Sequence, residues 1–285
     1  MGAEVISGKE LAQATRQSLK ERTEELVSQG ITPGLGVILV GNDPASASYV
    51  RGKEKACLET GIHSEVDRPD ESITEEELLG KIDTLNNRED IHGILVQLPL
   101  PSHIDEQKVI MAIDPSKDVD GFHPYNTGKM LTGDDGFLPC TPFGIIHMLK
   151  SRNIPIEGRH AVVVGRSNIV GKPAGMLLLK ENATVTFCHS RTKDMRSHTK
   201  QADILIAAVG KEKFISADDI KAGAVVVDVG VNRTSDGKLA GDVDFESVKE
   251  KASFITPVPG GVGPMTITML MYNTVISAEK RLHAT

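Results

Sequence analysis

The stretch Val163-Val164-Gly165-Arg166-Ser167-Asn168-Ile169-Val170-Gly171-Lys172-Pro173 sets how the second half of the chain folds. An apolar run ends in Gly165, and Gly171 opens a segment with helical patterning. A strand-to-helix turn of this kind presents free N–H groups and the positive end of a helix dipole, the setting that receives a pyrophosphate. Gly165 permits the sharp turn and close backbone approach, and Gly171 is expected to let the helix pack on the strand. The middle glycine of the usual G-x-G-x-x-G pattern is missing, and Ser167 takes its place. On these residues alone, an ordinary turn without a ligand remains the competing reading.

The flanking segments extend the pattern. Strands are expected at 161–164, 184–188, 204–208 and 225–229, with a shorter one at 254–256. Helices are expected at 170–181 and 265–282. Residues 140–265 thus read as a Rossmann-type parallel sheet with helices on both faces. The strand 184–188 runs into His189-Ser190-Arg191. Enzymes that use NAD place an acid there for the ribose 2′-hydroxyl. Here the acid is missing, and Ser190, Arg191 and Arg166 suit a 2′-phosphate. That favours NADP over NAD, against the reading in which Arg191 only solvates a loop.

The first half alternates in the same way. A helix is expected at 10–29, a buried strand at 35–40, and a helix capped by Asp43 with Pro44 at its first position, ending at Gly61. A strand at 65–68, a helix at 74–86 and a buried strand at 93–98, stopped by Pro99 and Pro101, complete a βαβαβ order. Residues 114–141, rich in Gly and Pro, read as a linker and loop region. A helix at 142–152 follows. The fold expected is α/β, with two domains around a cleft. The first covers 1–120 plus the closing helix 266–285, and the second covers 140–265.

Composition narrows the function classes. The 285 residues carry a net charge of −7, are 39 % hydrophobic, and contain no long Lys/Arg run. Nucleic acid is therefore not an expected partner. No apolar stretch is long enough to span a bilayer, and the start of the chain lacks a signal-peptide pattern. Cys57, Cys140 and Cys188 are widely spaced and odd in number, which argues against disulfides and structural zinc and for a reducing, cytoplasmic setting.

Candidate chemistry lies in the first half. Tyr49 and Lys53 stand four apart on the helix after Asp43 and share a face, although such a pair is most often a solvated surface. Gln97 closes an apolar strand, where ligands of parallel sheets collect; alternatively it bonds a loop backbone. Asp118 and Asp120 resemble turn acids and lack the further ligands of a calcium loop, so no metal site is expected. Zincin, serine-hydrolase and P-loop motifs are absent from the sequence.

Taken together, the chain resembles the bifunctional methylenetetrahydrofolate dehydrogenase/cyclohydrolase family along essentially its whole length. The resemblance rests on Tyr49-Val50-Arg51-Gly52-Lys53, on Gly93 through Pro101, on Lys117-Asp118-Val119-Asp120-Gly121, on Gly165 through Pro173 and on Thr256 through Thr266. It implies oxidation of 5,10-methylenetetrahydrofolate with NADP, followed by hydrolysis to 10-formyltetrahydrofolate, a step of one-carbon metabolism. It also implies residue roles. Lys53 is the key catalytic residue, held by Gln97. Tyr49 borders the folate and Asp120 bonds its pterin ring. Pro259, Gly260 and Gly261 line the substrate cleft. Gly165, Arg166, Ser167, Ser190 and Val231 hold NADP. A homodimer is implied as well. Two other classes stay open: another two-domain NADP-dependent dehydrogenase acting on a small acid, and a nucleotide-sensing protein without catalysis.

Overall fold

A computed structural model describes residues 2–282. Residue 1 and residues 283–285, which are the two ends of the expected ranges 1–120 and 266–285, lie outside the described residues. The chain divides into two compact units. One comprises Met1–Ala12 with Thr141–Thr266, the other Gln13–Cys140 with Ile267–Thr285.

The chain opens with a short strand, β1 (Glu4–Val5), and a long helix, α1 (Gly8–Ser28), whose later turns belong to the second-named unit. There follow β2 (Gly34–Ile38), α2 (Pro44–Thr60), β3 (His63–Asp67), α3 (Glu75–Asn86) and β4 (Gly93–Val96). The three strands β2, β3 and β4 form one parallel sheet in the order β3-β2-β4. Every residue of β2 and β4 is buried, as expected for strands covered on both faces. Ile38, Leu78, Ile82, Ile91, Ile94 and Val109 share one core cluster, to which α3 contributes Leu78 and Ile82. The helix ends follow local chemistry. Asp43 accepts the Ser46 N–H at 2.7 Å, Pro44 sits in the first turn, and Gly61 closes α2 with φ 75°. Thr74 and Glu77 form a reciprocal capping box on α3.

The segment 114–141 is more ordered than its Gly and Pro content suggests. Before it comes α4 (Glu106–Ala112), capped by Asp105; within it lies α5 (Pro124–Thr132). The expected linker is therefore corrected to a helix with ordered flanks. His123 Nδ1 accepts the Tyr125 N–H, Pro124 starts the first turn, and Gly133 ends the helix in the left-handed conformation at φ 86°. Pro124 and Gly133 thus stand at the two ends, where each favours a helix boundary.

The other unit holds α6 (Cys140–Ser151, its first residue shared with the preceding unit), β5 (His160–Val164), α7 (Gly171–Lys180), β6 (Thr184–Cys188), α8 (Met195–Thr199), β7 (Ile204–Ala207) and β8 (Val225–Asp228). A small antiparallel pair, β9 (Asn232–Arg233) and β10 (Leu239–Ala240), precedes α9 (Phe245–Lys249) and β11 (Phe254–Ile255); the closing helix α10 (Val262–Leu282) starts in this unit and from Ile267 onward belongs to the unit of the three-stranded sheet. Six parallel strands are ordered β1-β11-β8-β7-β5-β6. β5 has β6 on one side and β7 on the other, so the strand order reverses at β5. A crevice for ligands opens at the carboxyl ends of strands at such a reversal.

Residues 2–12 belong with this six-stranded unit, unlike the range 1–120 read from sequence. β1 adds to the sheet beside β11. Ala3, Glu4 and Ile6 donate their N–H groups to the carbonyls of Lys249, Ser253 and Ile255 at 2.7–2.8 Å. A two-residue edge strand carries too little pattern to be seen in sequence.

Candidate functional site

In the smaller sheet, order reverses between β2 and β4. α2 leaves the carboxyl end of β2, and Gln97 follows the carboxyl end of β4. This places Lys53 and Gln97 together. Lys53 is buried, with 8 % exposure, and its Nζ donates to Gln97 Oε1 at 3.0 Å. Gln97 is fixed at both ends: its N–H donates to the Ile38 carbonyl at 2.9 Å, and its Nε2 to the Leu98 carbonyl at 2.7 Å. The amide therefore turns its oxygen to the lysine because its nitrogen is engaged. Tyr49, one turn earlier on α2, is 41 % exposed. The solvated-surface reading fails for Lys53.

Asp120 joins this cluster. Burial raises its carboxyl above the ordinary value, while the Lys53 ammonium and the Cys140 thiol pull it down. Burial also pushes the Cys140 thiol well up, helped by the Asp120 charge. The rest of the Lys117–Gly121 motif builds the loop. Lys117 is 1 % exposed and donates to the carbonyls of Leu85, Asn86 and Arg88 at 2.9, 2.7 and 2.6 Å, capping the carbonyl end of α3. Asp118 accepts from the N–H groups of Phe122 (3.1 Å) and His123 (2.9 Å) and from Asn126 Nδ2 (2.8 Å). Its burial, opposed by these bonds, pushes its pKa up to about 6. Of the two acids, Asp118 is tied into the loop and Asp120 faces Lys53 electrostatically.

In the six-stranded unit, Gly165 ends β5 with φ 133°, and a Cβ there would overlap the Ala208 carbonyl oxygen. Gly171 is needed for the turn itself: a Cβ would crowd the Gly165 carbonyl and the Arg166 nitrogen. The close helix–strand contact expected of Gly171 belongs instead to Gly175, where a Cβ would overlap the Phe187 ring on β6. Ser167 Oγ accepts the N–H groups of Val170 and Gly171, both at 3.2 Å. In place of a glycine, the turn thus carries a hydroxyl that caps the start of α7. Arg166, Ser167, Ser190 and Arg191 are exposed. His189 shapes the turn after β6: its Nδ1 accepts the Arg191 N–H at 3.2 Å, and its own N–H donates to Thr192 Oγ1 at 2.9 Å. Val231 is 46 % exposed just beyond β8.

Pro259, Gly260 and Gly261 form the loop before α10. Gly260 has φ 102° and its carbonyl accepts the Lys9 N–H at 3.0 Å, while a Cβ at Gly8 would overlap the Gly261 carbonyl. This loop is seated on the first turn of α1, a contact that also ties residues 8 and 9 to the six-stranded unit.

Several residues escaped the sequence reading. Asn273, buried on α10, donates through Nδ2 to the carbonyls of Val119 (2.8 Å) and Leu138 (3.1 Å) and anchors the chain next to Asp120. Asp228 and Asp242 are buried carboxylates in the six-stranded unit. Asp228 carries one faint signal, its place at the end of an apolar strand.

Comparison with known proteins finds two family descriptions that match successive parts of the chain. The family description "Tetrahydrofolate dehydrogenase/cyclohydrolase, catalytic domain" matches residues 6–120, and "Tetrahydrofolate dehydrogenase/cyclohydrolase, NAD(P)-binding domain" matches residues 139–282. A relative from Bacillus licheniformis, "Bifunctional protein FolD", is 66 % identical over 282 residues, which is 99 % of each chain. The bifunctional FolD enzyme of Campylobacter jejuni superposes with a TM-score of 0.97 at 52 % identity, covering 98 % of this chain and 99 % of that one. The FolD of Trypanosoma brucei, solved with NADP cofactor and an inhibitor, gives a TM-score of 0.95 at 36 % identity and covers 99 % of both chains.

Proposed function

The chain belongs to the tetrahydrofolate dehydrogenase/cyclohydrolase family, and from that premise we propose that it oxidises 5,10-methylenetetrahydrofolate with NADP⁺ and hydrolyses the methenyl product to 10-formyltetrahydrofolate. The observation that carries the reading is the buried Lys53, bonded to Gln97 at 3.0 Å and facing Asp120.

The two steps ask different things of these residues. In the first, the carbon between two folate nitrogens loses a hydride, and the cation formed is shared by both nitrogens. No strong base is required, and orientation supplies most of the rate. Tyr49 borders the folate in this reading, and the Asp120 carboxyl bonds the pterin ring. In the second step, water adds to the methenyl carbon, one proton leaves the water, and one carbon–nitrogen bond breaks as its nitrogen is protonated. Lys53 moves these protons, and Gln97 aims its amine. The same reading gives Pro259, Gly260 and Gly261 to the substrate.

The residues present also fit NADP. Gly165, whose Cβ would overlap the Ala208 carbonyl oxygen, allows the tight turn, and the amino end of α7 lies beside it. The exposed Arg166, Ser190 and Arg191 supply bonds for a 2′-phosphate where an acid would repel it. Ser167 and Val231 complete the contacts. When bound, NADP⁺ accepts the hydride.

The same reading assigns a homodimer, which sedimentation at working concentration tests, and a cytoplasmic setting. Cys57, Cys140 and Cys188 are free and buried. Among the described residues no helix is long and apolar enough to cross a membrane. The deciding assay supplies methylenetetrahydrofolate and NADP⁺ and follows methenyl absorbance, NADPH and 10-formyl product together. Both products are expected. NADPH formation without 10-formyl product would remove the second activity, and no turnover would remove the reading.

A further inference from the structure

We propose that Asp242, locked to Asp228, is the positioning residue that shapes the nucleotide crevice; this rests on the NADP reading above. Asp242 is fully buried. Its carboxylate accepts three consecutive backbone N–H groups, Val209 at 2.6 Å, Gly210 at 2.9 Å and Lys211 at 2.8 Å, and the Asn232 side-chain amide at 3.0 Å. Asp228 accepts the N–H groups of Gly230 (3.0 Å), Asp242 (2.9 Å) and Val243 (3.0 Å). Buried carboxylates are costly unless their lone pairs are satisfied, and here the satisfying donors are loop N–H groups. The charge therefore organises backbone.

The two acids interlock. A Cβ at Gly230 would overlap the Asp242 carboxylate, and a Cβ at Gly241 would overlap the Asp228 carboxylate. Each glycine thus makes room for the acid of the other segment. The segments held are 209–211, after β7, and 230–232, after β8. Both lie at carboxyl ends of strands in the six-stranded sheet. The phosphate turn rests on Ala208, the residue just before the first of them: Gly165 abuts the Ala208 carbonyl, and the Ala208 N–H donates to the Val164 carbonyl at 2.8 Å. The second carries Val231. The groups that Asp242 bonds are not those assigned to the nucleotide; it acts through the backbone to which those positions belong.

The test uses the full chain and titrates NADPH by its fluorescence, with cyclohydrolase turnover of added methenyltetrahydrofolate measured in parallel. Asp242→Asn turns an amide N–H₂ toward donors that need an oxygen. It is expected to weaken NADPH at least tenfold while cyclohydrolase turnover stays within twofold. Asn232→Ala removes one donor and leaves the acid, and is expected to weaken NADPH a few-fold. Amide exchange at 209–211 and 230–232 should quicken in both variants. If Asp242→Asn does not fold, Asn232→Ala decides. NADPH affinity and loop exchange unchanged in the folded variants overturn the positioning role, as does equal loss of both activities in Asn232→Ala. Failure of the wild-type protein to bind NADPH overturns instead the NADP reading beneath it.

Discussion

Lys53→Met separates the two activities. Methionine nearly matches lysine in length and volume, so the α2 face stays filled. What disappears is the proton carrier and the bond to Gln97 Oε1. General acid–base catalysis contributes about 10²–10⁴-fold, or about 3–5 kcal/mol of barrier, so hydrolysis of the methenyl carbon should fall by that factor or below detection. The stability change is smaller. Losing one hydrogen bond costs about 1 kcal/mol, and removing a desolvated ammonium returns part of it. A melting shift of no more than about 2–4 °C is expected for a unit of this size. The lost ammonium is also one of the groups that lower the Asp120 carboxyl, so Asp120 should titrate at higher pH in the variant. With methylenetetrahydrofolate and NADP⁺, methenyl absorbance should accumulate instead of decaying, with NADPH still produced. Full cyclohydrolase turnover in the folded variant would refute the assignment of Lys53.

Three further outcomes are expected. Arg166→Ala and Arg191→Ala should each weaken NADP about tenfold or more, the worth of a charge-assisted bond, and NAD far less; equal losses by titration count against a 2′-phosphate site. Gly175→Ala should lower stability by about 1–3 kcal/mol, the cost of overpacking, because its Cβ overlaps the Phe187 ring; an unchanged melting curve contradicts this, and Phe187→Leu in the same chain should recover part of the loss. His92 should make the smaller-sheet unit acid-sensitive. Its Nδ1 accepts the Gly34 N–H at 3.0 Å, and burial first, then the charges of Arg281 and Lys117 against that of Asp90, push its pKa down to about 4. The folded state therefore binds fewer protons than the unfolded state between about pH 6.5 and 4, and stability falls as pH falls through that window, by up to about 3 kcal/mol. Denaturation of His92→Gln against wild type should show a flatter pH dependence; parallel curves would refute it.

Much of the fold was legible in the chain because it follows from local chemistry. Asp43-Pro44, Thr74 and Gly61 mark helix ends because their preferences are satisfied within a few residues, and the structure places them there. The apolar runs at β2, β4, β5, β7 and β8 mark buried parallel strands because each is covered on both faces. Spacing also brought out Gly165 and the acid-free end of β6. Packing settled what depends on partners distant in sequence. Lys53 differs from a solvated lysine through its burial and through partners distant in sequence, Gln97 44 residues away and Asp120. Asp120 and Asp118 look alike in sequence and part ways because Asn126 and two backbone N–H groups tie one of them. Gly171 and Gly175 divide the roles expected of one residue because only the packed helix shows which of them meets Phe187. Gly165 marks the turn in the sequence; the Asp242 carboxylate that holds the neighbouring loop comes from a buried site no local pattern can announce, since burial is a property of the fold and not of the residue.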